Sequence, residues 1–374
     1  MNVLGIIFSY AEQDSLRELT RHRTLASLPM AGRYRMIDFP LSNFVNDGIT
    51  DVSVIALKNF HSLMDHLGAG REWDLIRKRG GLRVLPPFSM TESDRDKLYR
   101  GSIDALAGNM HSIRRTLAEY VIMTGSNIIY SMDFKTLLEQ HIESGADITA
   151  VYTKDLNGHP TVPSGAMILH FNEEGRFQEL YVNKENINQP GTAWSTGVFV
   201  IKKSLLETLV ADAMALGKYH FHEDILRRLS KVLNIRGYEY KGFLLEVSNV
   251  TGYMQANMNF LSSGFREAAF QRPIYTKSKD SVPARYFDGC KVSNSIISDG
   301  CRIEGTVENS LISRGVRIGK GAVVRNSVVM QNTEIMRGVH LDHVILDKDV
   351  IVRENRRLTG HITYPVVIEK GSII

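Results

Sequence analysis

A six-residue repeat in the last quarter of the chain limits the possible folds more than any other feature of the sequence. Apolar residues recur six positions apart in several series: Ile297 and Ile303; Ile312, Ile318, Val324 and Met330; Val316, Ala322 and Val328; and Ile335 and Leu341. Six-residue units of this kind each form one side of a triangular coil. The repeat therefore predicts a parallel β-helix, since the strands of a sandwich would give such spacings only by accident.

The region up to about residue 245 follows a different pattern, in which short apolar runs alternate with amphipathic stretches. The apolar runs include Val3–Phe8, Asp51–Leu57 and Tyr120–Thr124, and the segment Asp104–Ala118 repeats apolar residues at helical spacing. Strands that alternate with helices predict a mainly parallel sheet covered on both faces. Ligands of such sheets bind at the carboxyl ends of the strands, so the loops that follow these three strands form the candidate site.

We therefore predict two domains and a connection between them. Residues 1–245 form an α/β domain with a Rossmann-like, mainly parallel sheet. Residues 246–283 form a helical connection and linker that ends in the polar segment Thr276–Pro283, and residues 284–374 form a left-handed parallel β-helix of hexapeptide repeats. Because such a coil has flat faces and open ends, it is typical of association surfaces.

The overall composition excludes several classes of function. The formal charge of +4 is small for 374 residues and gives no case for nucleic acid. No apolar run approaches the ~20 residues of a membrane span, and the N-terminus lacks the basic segment of a signal peptide. With only two cysteines, Cys290 and Cys301, a reducing compartment is favoured. We therefore expect a cytoplasmic protein that does not bind membranes.

Two groups of ionisable residues suggest binding sites but are interpreted more simply. The basic run Arg77–Arg79 predicts a solvated surface, as short charge runs usually do. The pair His220 and His222 predicts the start of a helix rather than a metal site, because no third ligand is evident.

Three motifs resemble one enzyme family. Gly32–Asn43 is similar to the segment G-K-F-R-I-I-D-F-x-L-S-N of the ADP-glucose pyrophosphorylases (glucose-1-phosphate adenylyltransferases). Tyr99–Ala105 resembles their Y-R-G-T-A-D-A loop, and Ser195–Phe199 resembles their S-M-G-I-Y segment. The resemblance spans nearly the whole chain and includes the β-helix. It implies a reaction in which glucose 1-phosphate attacks the α-phosphate of ATP and releases pyrophosphate.

The glycine-rich loop of that family has changed here. The family's A-G-G-x-G-T-R-L corresponds to Ser9–Leu16, where Tyr10 and Ala11 replace the paired glycines and Gln13 replaces the third. Side chains at these positions would block the close approach of the backbone to a triphosphate. Ser15 replaces the catalytic arginine, so the positive charge directed at the phosphates is lost.

Further family positions are also altered. Leu25 replaces the second lysine of the K-R-A-K-P element, although Arg23 is retained. Ser126 or Asn127 stands where the first magnesium-binding aspartate is expected, and Glu246, one methylene longer, replaces the second. Since magnesium demands near-octahedral geometry, we expect this chain to bind no metal or other cofactor and to lack catalytic residues.

The sugar-phosphate side of the family site is better retained. The resemblance implies substrate-binding roles for Tyr99, Arg100, Gly101, Asp104, Lys184 and Ser195. It also implies that Arg33 occupies a position used for a phosphorylated effector. A solvated lysine that binds no substrate is an equal alternative for Lys184. For Arg33 the alternative is an exposed arginine without a ligand.

A chain that keeps the fold and loses the catalyst resembles the non-catalytic subunit of bacterial glycogen-synthesis pyrophosphorylases. We expect it to associate with a homologous catalytic subunit, as a hetero-oligomer and in particular a tetramer, and to regulate that subunit. Mg²⁺ is then expected in the active partner. Self-association of this chain is a further alternative. The two alternatives are an active sugar-nucleotidyltransferase with an altered site and a stand-alone sugar-phosphate sensor.

Overall fold

The computed structural model describes residues 2–10, 15–87, 99–154, 166–182 and 192–374. The strands before the coil are β1 (Val3–Phe8), β2 (Pro29–Met30), β3 (Tyr34–Arg35), β4 (Asp51–Ile55), β5 (Gly81–Leu85), β6 (Tyr120–Gly125), β7 (Ile128–Tyr130), β8 (Ile148–Thr153), β9 (Met167–Phe171), β10 (Phe177–Val182), β11 (Trp194–Lys202), β12 (Ile235–Glu239) and β13 (Leu244–Glu246). The α-helices are α1 (Asp38–Asn46), α2 (His61–Leu67), α3 (Ser102–Gly108), α4 (Met110–Arg114), α5 (Phe134–Glu143), α6 (Lys203–Ala215), α7 (Val250–Asn259) and α8 (Ser263–Ala269). Shorter helical turns span Arg17–Thr20, Leu25–Ser27 and Arg71–Trp73, and a π-helical segment spans Phe221–Arg227.

The predicted α/β fold is present. The central sheet has the strand order β10-β9-β11-β6-β1-β4-β5, and β8 pairs with both β11 and β12. The strands β6, β1, β4 and β5 are parallel neighbours, whereas β11 runs antiparallel to β6 and β8. Strand β1 is apolar throughout because parallel strands are covered on both faces. One predicted helix, Asp104–Ala118, is divided into α3 and α4 at Asn109, whose side-chain amide donates to the Ala105 carbonyl.

Two apolar cores cover the two faces of this sheet. One contains side chains of α3, α4 and α6, with Leu4 and Ile6 from β1. The other contains side chains of α1, α2 and α5, with Val3 and Ile7 from β1. The alternation of β1 residues between the cores follows from the two-residue period of a strand.

The C-terminal region is a hexapeptide-repeat β-helix with three faces, as predicted. Face one contains β14 (Arg285–Tyr286), β17 (Arg302–Ile303), β20 (Arg317–Ile318), β23 (Glu334–Ile335) and β26 (Ile351–Val352). Face two contains β15 (Lys291–Ser293), β18 (Thr306–Glu308), β21 (Val323–Arg325), β24 (His340–Asp342) and β27 (Arg357–Thr359). Face three contains β16 (Ile296–Ile297), β19 (Leu311–Ile312), β22 (Val328–Val329), β25 (Val344–Leu346) and β28 (Val366–Ile368).

The corners of the coil use asparagine as well as glycine. Asn294, Asn309 and Asn326 adopt positive φ between faces two and three, and Gly300 and Gly315 adopt it at other corners. Asparagine tolerates this left-handed conformation better than most residues. The Asn294 side-chain amide donates to Asn309 Oδ1 at 2.7 Å, so consecutive corners are linked by hydrogen bonds.

A third core joins the coil to the rest of the chain. Val328 and Ile345 point outward from face three and are buried with Leu25 and Tyr253. The Tyr253 hydroxyl also donates to the Pro29 carbonyl at 2.5 Å. Helices α7 and α8 therefore share one apolar core with the α/β domain and with the coil. No helix within the described ranges has the length and apolar character needed to cross a membrane.

Candidate functional site

The carboxyl ends of the parallel strands meet where the sequence predicted a site. The backbone N–H of Ser9 donates to the Ile55 carbonyl at 3.0 Å, and that of Ser126 donates to the Phe8 carbonyl at 3.0 Å. Ser126, at the predicted position of a lost metal aspartate, is fully buried. Its hydroxyl has no hydrogen-bond partner among the described residues. This position therefore offers a neutral hydroxyl where the family motif has a carboxylate.

The second predicted metal position lies beside the first. Strand β13 pairs with β7, and the backbone N–H of Val247 donates to the Asn127 carbonyl at 2.7 Å. This pairing places Asn127 Nδ2 3.1 Å from Glu246 Oε1, to which it donates a hydrogen bond. Burial raises the pKa of Glu246 to about 7, although the hydrogen bond from Asn127 opposes this shift. A substantial fraction of this carboxyl is therefore protonated at neutral pH.

These residues do not fit a magnesium ion. Magnesium binds ionised oxygen ligands at octahedral positions, whereas Ser126, Asn127 and Glu246 offer a hydroxyl, an amide and a carboxyl of raised pKa. Across the part of the chain that the structure describes, no group of three His, Cys, Asp or Glu side chains could hold a metal ion.

The raised pKa of Glu246 predicts a specific dependence of stability on pH. Between the ordinary pKa of 4.5 and about 7, the folded protein binds this proton more tightly than the unfolded chain does. The free energy of unfolding should therefore fall as pH rises through this window, by at most about 1.4 kcal/mol per pH unit. Glu246→Gln should remove this contribution, as measured by urea unfolding from pH 4.5 to 7.5. The exposed Glu173→Gln is the control, and equal pH profiles for the two variants would contradict the prediction.

The loop after β1 carries the other predicted losses. The Tyr10 ring packs edge-on against Phe8, with ring centroids 6.0 Å apart, and contacts the core below the sheet edge. Ser15 is exposed, and its backbone pairs with Asn249 just beyond Glu246. Leu25, at the predicted position of a lost lysine, is buried as an apolar residue of the third core. Ala11 and Gln13 lie outside the described residues.

The basic side chains of this loop contact the coil, which the sequence did not reveal. Arg21 and His22 both contact Glu369, at 2.8 and 2.7 Å. Arg23, the cation retained from the family motif, forms a 2.8 Å ion pair with Asp347. The Arg23 and Asp347 side chains are only 3% and 1% exposed. Arg23 is thus a structural residue at the junction with the coil.

The segment Tyr99–Ala105, which was predicted to bind substrate, forms the entrance to α3. The Arg100 guanidinium donates to Asp104 at 3.0 Å and stacks on the Tyr219 ring, 3.6 Å from its centroid. Tyr99 accepts a hydrogen bond from Asn109 at 3.0 Å. Gly101 lies against the Tyr219 carbonyl, where a side chain would collide with the backbone. Arg100 is therefore already paired and stacked, and the contribution of Tyr219 was missed because it lies 119 residues away.

Two further predicted residues lie in different elements of the structure. Ser195 lies near the start of β11, at the carboxyl edge of β6 because the two strands are antiparallel. Its hydroxyl accepts a hydrogen bond from the Gly197 N–H at 3.2 Å. Arg33 is exposed and lies next to Gly32, which packs against Ser298 of the coil. The predicted roles of Ser195 and Arg33 in binding stay predictions, and Lys184 lies outside the described residues.

The histidine pair lies where a helix begins. His220 immediately precedes the π-helical segment, and its backbone N–H donates to Asp224 Oδ2 at 3.0 Å. This position matches the interpretation from the sequence.

Comparison with known proteins gives a consistent assignment. Residues 5–262 match the family described as nucleotidyl transferase, and residues 282–360 match the GlmU-like C-terminal hexapeptide family. The chain is 32% identical to the glycogen biosynthesis protein GlgD of Bacillus subtilis (strain 168), over 99% of this chain and 96% of that protein. It is 35% identical to the GlgD of Geobacillus stearothermophilus, over 86% of this chain and 82% of the relative.

Catalytic relatives match at similar levels. The glucose-1-phosphate adenylyltransferase of Fervidobacterium nodosum is 32% identical, over 96% of this chain and 86% of that protein. The resemblance identified from three motifs is therefore confirmed across the chain. This protein belongs to the nucleotidyl transferase family, in the group that includes GlgD and the glucose-1-phosphate adenylyltransferases and that carries a C-terminal hexapeptide coil.

Proposed function

We propose that this protein acts in bacterial glycogen biosynthesis as a non-catalytic, regulatory subunit of glucose-1-phosphate adenylyltransferase. Its similarity to both GlgD and the adenylyltransferases supports the pathway. In this proposal it associates with an active homologous chain, as a tetramer, in the cytoplasm. The active chain holds the Mg²⁺ that the reaction uses, and this chain binds no cofactor.

The hydrogen bond between Asn127 and Glu246 is the observation that carries this proposal. Nucleotidyl transfer develops charge on the transferred phosphorus and on pyrophosphate, which a catalyst must offset with metal ions or directed cations. One carboxyl of raised pKa, bonded to an amide, replaces two ionised ligands. Arg21 and Arg23, two cations of the adjacent loop, are bound to carboxylates of the coil and do not supply this charge.

The open end of the coil supports association with another subunit. Tyr286 and Val292 lie in the first turn of the coil, in rows that point inward, but they are 53% and 38% exposed. Their strand partners in the second turn, Ile303 and Val307, are both fully buried. Repeat proteins need a polar cap to end such a stack in water, and unpaired strand edges favour pairing with another chain. The first turn of the coil is therefore suited to pack against the coil of a homologous chain.

In this proposal, regulation arises because this chain binds the different conformations of the active chain with different affinities. If the two chains associate more tightly in the competent conformation, association raises the population of that conformation. A phosphorylated effector at Arg33, or a sugar phosphate at the motif that includes Arg100, would act through the same equilibrium.

The test is pyrophosphate release from ATP, glucose 1-phosphate and Mg²⁺. We expect no turnover by the isolated chain, and a change of roughly 5- to 150-fold in substrate or effector affinity when it is mixed with a catalytic homologue from the same source. The homologue alone, at the same concentration, is the control. Robust turnover by the isolated chain would instead establish an active transferase with an altered site. A stable homotetramer that leaves the homologue unchanged would favour a stand-alone sensor.

A further inference from the structure

A basic cleft lies at the amino edge of the central sheet, on the opposite side from the candidate functional site. Its volume is about 1180 Å³, and its walls come from the starts of β1 and β4, the loops before β5 and β6, and the first turns of α5. We propose that this cleft binds a small molecule that carries at least two phosphate or carboxylate groups. This inference is independent of the proposed function.

The acidic residues at the base of the cleft are already neutralised. Asp51 forms an ion pair with Arg83, on the neighbouring strand. Asp47 forms an ion pair with Arg272 and also accepts a hydrogen bond from the Phe134 N–H at 2.8 Å. These carboxylates are therefore not available to balance other cations that face the cleft.

Four further cations line the cleft: Lys78, Arg79, Arg115 and Lys135. All four are exposed, and none has an ion pair or side-chain hydrogen bond to a described residue. Glu139 is the one other acidic residue in the lining. The cleft thus concentrates an excess of positive charge in a chain whose total formal charge is only +4. Like charges that face one concave surface repel each other, and a bound anion would relieve this repulsion.

The arrangement indicates the class of ligand. The four cations come from three separate segments: the loop before β5, the end of α4 and the start of α5. Small-molecule sites usually measure ~300–1,000 Å³. The cleft exceeds this range, so it has room for an organic molecule and is larger than one inorganic phosphate requires. Arginine matches phosphate and carboxylate oxygens through paired N–H groups. Leu117, 75% exposed in the lining, offers an apolar surface for the organic part of the ligand.

The cleft also changes the interpretation of the basic run Arg77–Arg79. Arg77 forms an ion pair with Asp74 and does not line the cleft, whereas Lys78 and Arg79 do. Arg77→Ala is therefore a matched control, since it removes an exposed arginine from the same run and leaves the cleft intact.

The experiment is calorimetric titration of the full chain at low ionic strength, with inorganic pyrophosphate, ATP without magnesium, and a hexose bisphosphate as probes. We expect at least one probe to bind saturably. Arg79→Ala and Arg115→Ala should each weaken that binding roughly tenfold or more, as for the loss of a charge-assisted hydrogen bond, while Arg77→Ala should leave it unchanged. Thermal unfolding without ligand checks that the variants fold.

Two results would overturn the proposal. One is the absence of saturable binding for all three probes. The other is binding that Arg79→Ala and Arg115→Ala weaken no more than Arg77→Ala does, since the anion would then occupy another surface. Neither result depends on pyrophosphate release, so failure of this inference is distinguishable from failure of the regulatory role.

Discussion

Arg23→Ala is expected to lower the free energy of unfolding by about 3–5 kcal/mol, because it leaves a buried charge without its partner. Asp347 is 1% exposed and forms a 2.8 Å ion pair with Arg23. Its Oδ1 also accepts a hydrogen bond from the backbone N–H of Lys348, which cannot replace a full positive charge. Urea unfolding at neutral pH measures the loss.

Two controls separate the effect of the buried pair from the effect of removing an arginine. Arg21→Ala breaks an ion pair with Glu369 at the same junction, but the Arg21 side chain is 64% exposed, so little effect is expected. The double variant Arg23→Leu with Asp347→Leu should recover most of the lost stability, since apolar pairs often replace buried ion pairs without loss. The explanation fails if Arg23→Ala costs no more than Arg21→Ala.

Gly101→Ala is expected to destabilise the protein by about 1–3 kcal/mol, as overpacking of a tight site usually does. A Cβ atom at this position would lie 2.3 Å from the Tyr219 carbonyl oxygen and 2.8 Å from its carbon. That oxygen accepts a hydrogen bond from the Ile103 N–H at 2.9 Å, so the Tyr219 carbonyl cannot move away from the added Cβ without losing this hydrogen bond. The entrance to α3 should therefore shift, and with it the stacking of Arg100 on Tyr219.

The matched control for this variant is Gly264→Ala in α8, where an added Cβ would meet nothing within 4 Å. Alanine is favoured over glycine in a helix by roughly 0.5–1 kcal/mol, so this control should be neutral or stabilising. Thermal unfolding of both variants gives the comparison. Equal effects at positions 101 and 264 would contradict the steric explanation.

The periodic parts of the fold could be predicted because their apolar residues report which side is buried. Ile303, Ile318 and Ile335 form one inward row of the coil, and each of them belongs to one of the six-residue apolar series in the sequence. The asparagine corners were not predicted, since Asn309 and Asn326 gave no apolar signal. The antiparallel direction of β11 was also missed, because an apolar run has the same pattern in either direction.

The candidate site could be predicted only in outline. The motif changes at Ser126 and Glu246 were visible in the sequence, but the hydrogen bond from Asn127 depends on the pairing of β13 with β7. Asp347, which pairs with Arg23, and Tyr219, on which Arg100 stacks, lie 324 and 119 residues away, where local patterns carry no information. The sequence showed Arg23 only as a retained family residue, whereas in the structure it is paired with Asp347 at the junction with the coil.

The core shared by the coil and the α/β domain limits how this architecture can evolve. Val328, Met330 and Ile345 are buried on one side of the coil against Tyr253 and Leu25. A recombination event that exchanged the coil for another would place these apolar side chains against an unmatched surface, or expose them to water. Substitutions on either side of this core are therefore expected to be tolerated only with compensating changes on the other. The two halves should be inherited together as one unit.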